Sequence, residues 1–208
     1  MGLEHWDLSR QKYVLYQNTE QHSADCDRFP FESIPRRVFL DTNVINVLVK
    51  HSAHVFDHEP IPPETEPTLA TDIEALMHVF YVGVRANWSL LASQKTLDEL
   101  SRTRDGTLRD DLLEYALGFV NRDLGDGDRR FAADFGRRLI DASFVAALPD
   151  LADRELIGNA IGFGCDAFCT CDRTTIVRKR GQLRQVALRI LTPAEWWAQV
   201  KPWAGLWG

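Results

Sequence analysis

Arg37-Val38-Phe39-Leu40-Asp41-Thr42-Asn43-Val44-Ile45 is the stretch on which the reading of this chain turns. The apolar run 38–40 has the length and character of a buried strand. It stops at a carboxylate followed by Thr and Asn. The apolar spacing then changes: Val44, Ile45, Val47 and Leu48 suit a helix that begins directly after the turn. An acid at the carboxyl end of a parallel strand, where a helix starts, lies on the edge at which open α/β sheets keep their sites. The plain alternative is that Asp41 or Thr42 merely caps that helix.

Working outward, residues 1–36 are polar with isolated aromatics and read as an arm or short strand, an N-terminal extension laid across a main domain at 37–208. The first helix is expected to end near 51–54, and the proline-rich run 59–67 to be a loop. Helices are expected over 71–84, 96–102, 108–120, 129–147, 150–161 and 174–184, with strands at 89–92, 167–170 and 186–191. Thr192-Pro193 then supplies the cap and first-turn proline of a closing helix. Strands alternating with helices imply a short parallel sheet with helices on both faces, a three-layer α/β/α fold.

The chain has 208 residues, 45% of them hydrophobic, enough for one domain with a real core. A net charge of −6 argues against a surface coated in positive charge for broad nucleic-acid binding, though a local basic groove is compatible with it. Cys26, Cys165, Cys169 and Cys171 do not form a secreted disulfide framework, so they read as reduced thiols of a cytoplasmic protein. No apolar run reaches membrane-spanning length, the polar start is not a signal peptide, and the myristoylation pattern fails at its sixth position.

Four acids fall at corresponding ends of this alternating pattern. Asp41 follows the first strand, and Glu99 lies one turn into the helix after the second. Asp153 sits in the first turn of the next long helix, and Asp172 follows the third strand. Each has a bland explanation. Thr96-x-x-Glu99 fits a capping box, Asp153 a first-turn acid behind an Asp150 cap, and Asp172 a turn aspartate. Those explanations do not require all four to face one edge, whereas the topology does. Carboxylates gathered so closely repel one another unless a cation sits among them. Hard oxygen donors suit Mg²⁺ or Mn²⁺, which lowers the pKa of water and steadies the charge of a phosphodiester in flight. The residues alone therefore point to a metal-dependent phosphoesterase.

Over about residues 37–200 the chain resembles the PIN-domain ribonucleases. Phe39-Leu40-Asp41-Thr42-Asn43 is similar to the family's opening strand and acid. The segment Leu90-Leu91-Ala92-Ser93-Gln94-Lys95-Thr96-Leu97-Asp98-Glu99-Leu100 resembles the one that carries the second acid. Asp153-Arg154-Glu155-Leu156-Ile157-Gly158-Asn159-Ala160 is similar to the helix with the third, and Cys165-Asp166-Ala167-Phe168-Cys169-Thr170-Cys171-Asp172-Arg173 to the strand that ends in the fourth. The resemblance implies an endoribonuclease using Mg²⁺ or Mn²⁺. Asp41, Asp153 and Asp172 would bind metal with Glu99 assisting, and water activated there would attack phosphorus in line. Asn43 and Thr170 match positions that orient these acids. It further suggests an RNA substrate and, by likeness to toxins of VapC-type toxin–antitoxin pairs, an antitoxin protein as partner. Asp98, Asp150 and Glu155 compete with the two middle acids for assignment. The long stretch between Asp41 and Glu99 and the N-terminal extension depart from the family pattern.

Other constellations carry less. His51, His54 and His58 have helical metal spacing but run into prolines without a further ligand, so a solvated helix end is the better reading than zinc. Cys165, Cys169 and Cys171 suit the core around a strand end rather than a zinc knuckle. Residues 121–128 form an acidic, glycine-rich loop that lacks the closing Glu of a calcium site. Among the basic clusters, Arg173, Arg178, Lys179 and Arg180 are the best candidates for RNA phosphate contacts, because they follow Asp172 directly. The C-terminal tryptophans suit packing on the sheet or at a homodimer interface better than base stacking. A phosphatase with Asp41 as covalent nucleophile would want a second acid where Asn43 stands. The rival to a nuclease is a catalytically silent PIN-like module that binds RNA or a protein.

Overall fold

The computed structural model describes residues 4–7, 12–15, 19–120, 124–183 and 188–207. In chain order its strands are β1 (Glu4–Asp7), β2 (Lys12–Leu15), β3 (Arg37–Leu40), β4 (Ser89–Leu91), β5 (Ala167–Cys169) and β6 (Arg189–Leu191). The α-helices are α1 (Thr19–Arg28), α2 (Thr42–Lys50), α3 (Ser52–Phe56), α4 (Pro67–Ala86), α5 (Gln94–Leu100), α6 (Gly106–Val120), α7 (Asp126–Leu139), α8 (Leu151–Gly162) and α9 (Pro193–Val200). Residues 121–123 of the acidic loop, the basic Arg184 and the expected strand start at 186–187 lie outside the described residues. None of the described helices is long and apolar enough to cross a membrane.

These elements group into two compact units, one of residues 37–50 and 89–192, the other of 1–36, 51–88 and 193–208. The first is mixed α/β. Its four strands are all parallel, in the order β4-β3-β5-β6. Buried on both faces, they read as unbroken apolar runs, as parallel strands do. Phe39, Leu91, Phe168 and Ile190 share one core with Ala132 of α7 and Leu156, Ile157 and Ala160 of α8. The rings of Phe39 and Phe168 stack at 5.5 Å across neighbouring strands.

Two helices cross at that core through small residues. A Cβ placed on Gly158 would lie 2.6 Å from the Cα of Gly136, so only hydrogen lets the α7 and α8 backbones approach this closely. Asp150 caps α8 by accepting from the Ala152 amide at 2.8 Å, and Gly164 ends the following turn at φ +66°, as their residue types predict. The expected helix over 129–147 stops earlier, at Leu139, and a short 3-10 turn, Ser143–Val145, follows it. Asp126 and Asp128 occupy the first turn of α7, where the helix dipole favours acids.

In the other unit β1 and β2 pair antiparallel, and α1 follows them, a helix the sequence reading did not anticipate. Glu66 and Pro67 start α4 sooner than the apolar spacing predicts, with the Glu66 side chain accepting from the Thr68 and Leu69 amides. Trp196 is wholly buried, Trp203 donates to Phe29 O at 2.7 Å, and Trp207 stacks on Phe31 at 5.9 Å. These tryptophans serve packing. His51 stacks on His54 at 6.1 Å, and His54 Nδ1 lies 3.1 Å from Glu59 O.

Candidate active site

The strand order changes direction beside β3. From β3 the chain passes to β4 on one side, then returns to lay β5 on the other. Helices leaving the carboxyl ends of two such strands diverge and open a crevice there, the place where α/β sheets bind ligands. Asp41 stands at the end of β3 and Asp172 three residues beyond β5, so both belong to this crevice. The ladder pairs Leu40 with Cys169, and the Asp41 amide continues it by donating to Cys169 O at 3.0 Å.

Asp41 is 3% exposed and accepts three hydrogen bonds. The Thr42 amide donates to Oδ1 at 2.7 Å, while Asn43 Nδ2 at 2.7 Å and Thr170 Oγ1 at 2.6 Å donate to Oδ2. Asn43 Oδ1 in turn accepts from the Cys171 amide at 2.8 Å, which ties the strand ends together. Thr170 Oγ1 also accepts from the Asp172 amide at 3.0 Å. Asn43 and Thr170, expected to orient this acid, both hydrogen-bond its Oδ2. Burial nevertheless dominates. It pushes the Asp41 carboxyl up to about 6 despite those donors, and the charge of Glu99 adds to the rise.

Thr42 does more than stand in a cap position. Its hydroxyl donates to Glu99 Oε2 at 2.6 Å, joining the residue after the first acid to the second acid itself. The other oxygen, Glu99 Oε1, is buried and has no hydrogen-bond partner among the described residues. Burial raises the Glu99 pKa, opposed by the Thr42 hydroxyl and by Lys95, with Asp150 working the other way. The capping box expected at Thr96 and Glu99 is displaced by one turn. Ser93 is the N-cap of α5, and its amide donates to Thr96 Oγ1 at 3.3 Å. Glu99 therefore owes nothing to capping.

Asp153 and Asp172 share an open cleft of about 690 Å³ with Pro149, Asp150, Leu151 and Thr175. Burial, and after it the charges on Asp41, Asp150, Asp172 and Glu99, pushes the Asp153 carboxyl up to about 7. Asp153 therefore feels the charge of each of the other three predicted acids. Asp172 differs: although burial opposes its charge, the Thr175 and Thr174 amides and hydroxyls hold its pKa below the ordinary range. It also caps the π-helical turn Arg173–Val177, its Oδ1 accepting from the Thr174 and Thr175 amides at 3.0 and 2.9 Å.

The competing acids are otherwise engaged. Asp98 is exposed and accepts from Gln94 Nε2 at 3.0 Å, Asp150 caps α8, and Glu155 pairs with Lys95 at 3.0 Å. Two of the predicted phosphate-binding cations also have internal partners. Lys179 Nζ donates to Ala147 O at 2.7 Å and Arg180 Nη1 to Ile190 O at 3.2 Å, whereas Arg178 is exposed. Thr42 and the Lys95–Glu155 pair escaped the sequence reading. Their only signal was position: a hydroxyl directly after Asp41, a lysine one turn before Glu99, and an acid two residues after Asp153.

The donor set suits Mg²⁺ or Mn²⁺ in kind. It consists of carboxylates, one with a buried oxygen that no group among the described residues satisfies, and three with pKa values lifted by burial and by neighbouring charge. As the side chains stand, no three His, Cys, Asp or Glu residues among the described residues are close enough to hold a metal ion together. No family model, no curated protein and no solved structure matches the chain.

Proposed function

We propose that this protein is a PIN-like, three-layer α/β/α ribonuclease that hydrolyses RNA phosphodiester bonds with a divalent metal, Mg²⁺ or Mn²⁺. The observation that carries the reading is Asp153. It ionises only near neutrality because it lies partly buried among Asp41, Asp150, Asp172 and Glu99 at the sheet's topological switch point. Asp41, Asp153 and Asp172 would hold the metal, with Glu99 assisting through its unsatisfied Oε1. When bound, such an ion supplies a Lewis acid that activates water and offsets charge on the pentavalent phosphorus.

The chain's own residues do the rest. Asn43 and Thr170 fix the Asp41 carboxylate so that it does not swing to relieve its crowding. The Thr42 hydroxyl holds Glu99 Oε2, which leaves Oε1 to accept a proton or a water. Asp172 is kept ionised by its four threonine donors and supplies a permanent negative charge. Asp153 is the acid whose proton is most easily exchanged near neutral pH. Arg178, exposed and six residues after Asp172, would contact an RNA phosphate.

The rival reading, a silent module that binds RNA or a protein, is favoured by the absence of three ligating side chains already in reach of one ion among the described residues. Labelled single-stranded RNA incubated with the protein, with and without Mn²⁺, separates the two. Cleavage that needs Mn²⁺ and drops at least about a hundredfold in Asp41→Asn is expected for the nuclease. Binding without cleavage by both proteins selects the silent module, and an Asp41→Asn variant as active as the parent removes Asp41 from the site. A small reading frame encoded beside this one would support the toxin–antitoxin role.

A further inference from the structure

α5 carries Glu99 and α8 carries Asp153, and the two helices are fastened to each other at two points. Asn159 Nδ2, on α8, donates to Ser93 Oγ at the cap of α5 at 2.9 Å. One turn nearer the acids, Lys95 Nζ pairs with Glu155 at 3.0 Å, the two side chains only 19% and 17% exposed. Lys95 is one helical turn before Glu99, and Glu155 is two residues after Asp153. Resting on the nuclease reading, we infer that the Lys95–Glu155 ion pair is a positioning device: it ties α5 to α8, sets how far Glu99 can move from Asp153, and so governs how tightly these acids can close on a divalent cation.

The chemistry favours this over two simpler roles. An exposed pair would add little to stability, because water screens it and two long side chains must be ordered. This pair is mostly withdrawn from water, and it joins the helix that carries Glu99 to the one that carries Asp153. The pair also removes Glu155 from the cluster. With its carboxylate occupied by Lys95, the acid beside Asp153 in sequence does not compete for the ion. A counter-charge role for Lys95 makes the opposite prediction. If it acted through charge alone, its ammonium beside Glu99 would oppose cation binding, and deleting it would tighten the metal.

That opposition gives the test. MnCl₂ is titrated into the full chain and the free ion followed by its six-line electron paramagnetic resonance signal, for the parent, Lys95→Met, Glu155→Gln and Lys95→Arg. Thermal melting in metal-free buffer is measured beside it. The positioning role predicts that Lys95→Met and Glu155→Gln each weaken Mn²⁺ about tenfold, the range seen when partners of metal ligands are removed. Lys95→Arg, which keeps charge and reach, should stay close to the parent. Lys95→Met binding Mn²⁺ as tightly as the parent, or tighter, overturns the inference. So does a variant that melts earlier but keeps its Mn²⁺ affinity, since the pair is then structural only. A parent that takes up no Mn²⁺ removes the nuclease reading and this inference together, whereas a binding parent with unaffected variants removes only the inference.

Discussion

Asp153 is held in a state that costs the folded chain stability. Its carboxyl titrates at about 7 in the fold against an ordinary 3.8, so the native state binds the proton more tightly than the unfolded chain does. Between those values, rising pH strips a proton that the folded protein retains more strongly, and stability falls as pH rises from about 4 to about 7. Replacing the acid by its neutral isostere removes that loss. Asp153→Asn is expected to raise the melting temperature of the metal-free protein at pH 8 and to leave it nearly unchanged at pH 4. Thermal melts in a chelator at the two pH values check this, and equal shifts at both would mean that Asp153 is not crowded by charge. At this scale the sequence was partly transparent. Asp41 was legible from the strand end it follows, whereas Asn43 and Thr170, which hydrogen-bond it, were singled out only through the family resemblance. The tie from Thr42 to Glu99 was not legible, since it spans 57 positions and no local pattern encodes it. The capping box was read one turn late, because Thr96-x-x-Glu99 and Ser93-x-x-Thr96 both suit a cap and only backbone geometry decides between them.

The elements place the acids through close packing as much as through the sheet. α8 reaches its position because Gly136 and Gly158 let two backbones touch, and Asp153 rides on its first turn. Gly158→Ala gains about 1 kcal/mol of helix propensity. The same methyl meets backbone 2.6 Å away, and overpacking a rigid crossing costs about 1–3 kcal/mol. Because the obstacle is main chain that no rotamer can vacate, the net effect is expected to be destabilising. Urea unfolding with a lower midpoint and an unchanged slope would bear this out. A midpoint equal to or above the parent's would show that the crossing relaxes. Strand and helix types were readable from apolar periodicity, down to β3 and the Asp150 cap. Boundaries were less so. α7 ends at Leu139 although apolar residues continue to Leu148, since a 3-10 turn can bury Val145 and Leu148 as well as a helix can.

Across the whole chain, the passage from one compact unit to the other occurs near residues 37, 51, 89 and 193, and nothing in composition announces the last three. These are points at which elements merely follow one another, without a glycine- or serine-rich linker. The parallel sheet was accessible from sequence because alternating strands and helices allow few topologies, whereas its strand order, and with it the switch point, was not. In a chain of net charge −6, Asp153 lies in a group of five acids with Asp41, Glu99, Asp150 and Asp172. Such a cluster should exchange protons for a cation. The measurement that meets this most directly is calorimetric titration of MnCl₂ into the protein near pH 6.5, repeated in buffers of different ionisation enthalpy to count protons released. With Asp41 titrating at about 6 and Asp153 at about 7, uptake of Mn²⁺ should expel on the order of one proton at that pH and almost none above pH 8. No Mn²⁺ uptake, or uptake with no proton release near pH 6.5, would contradict the claim that these carboxylates form a metal site.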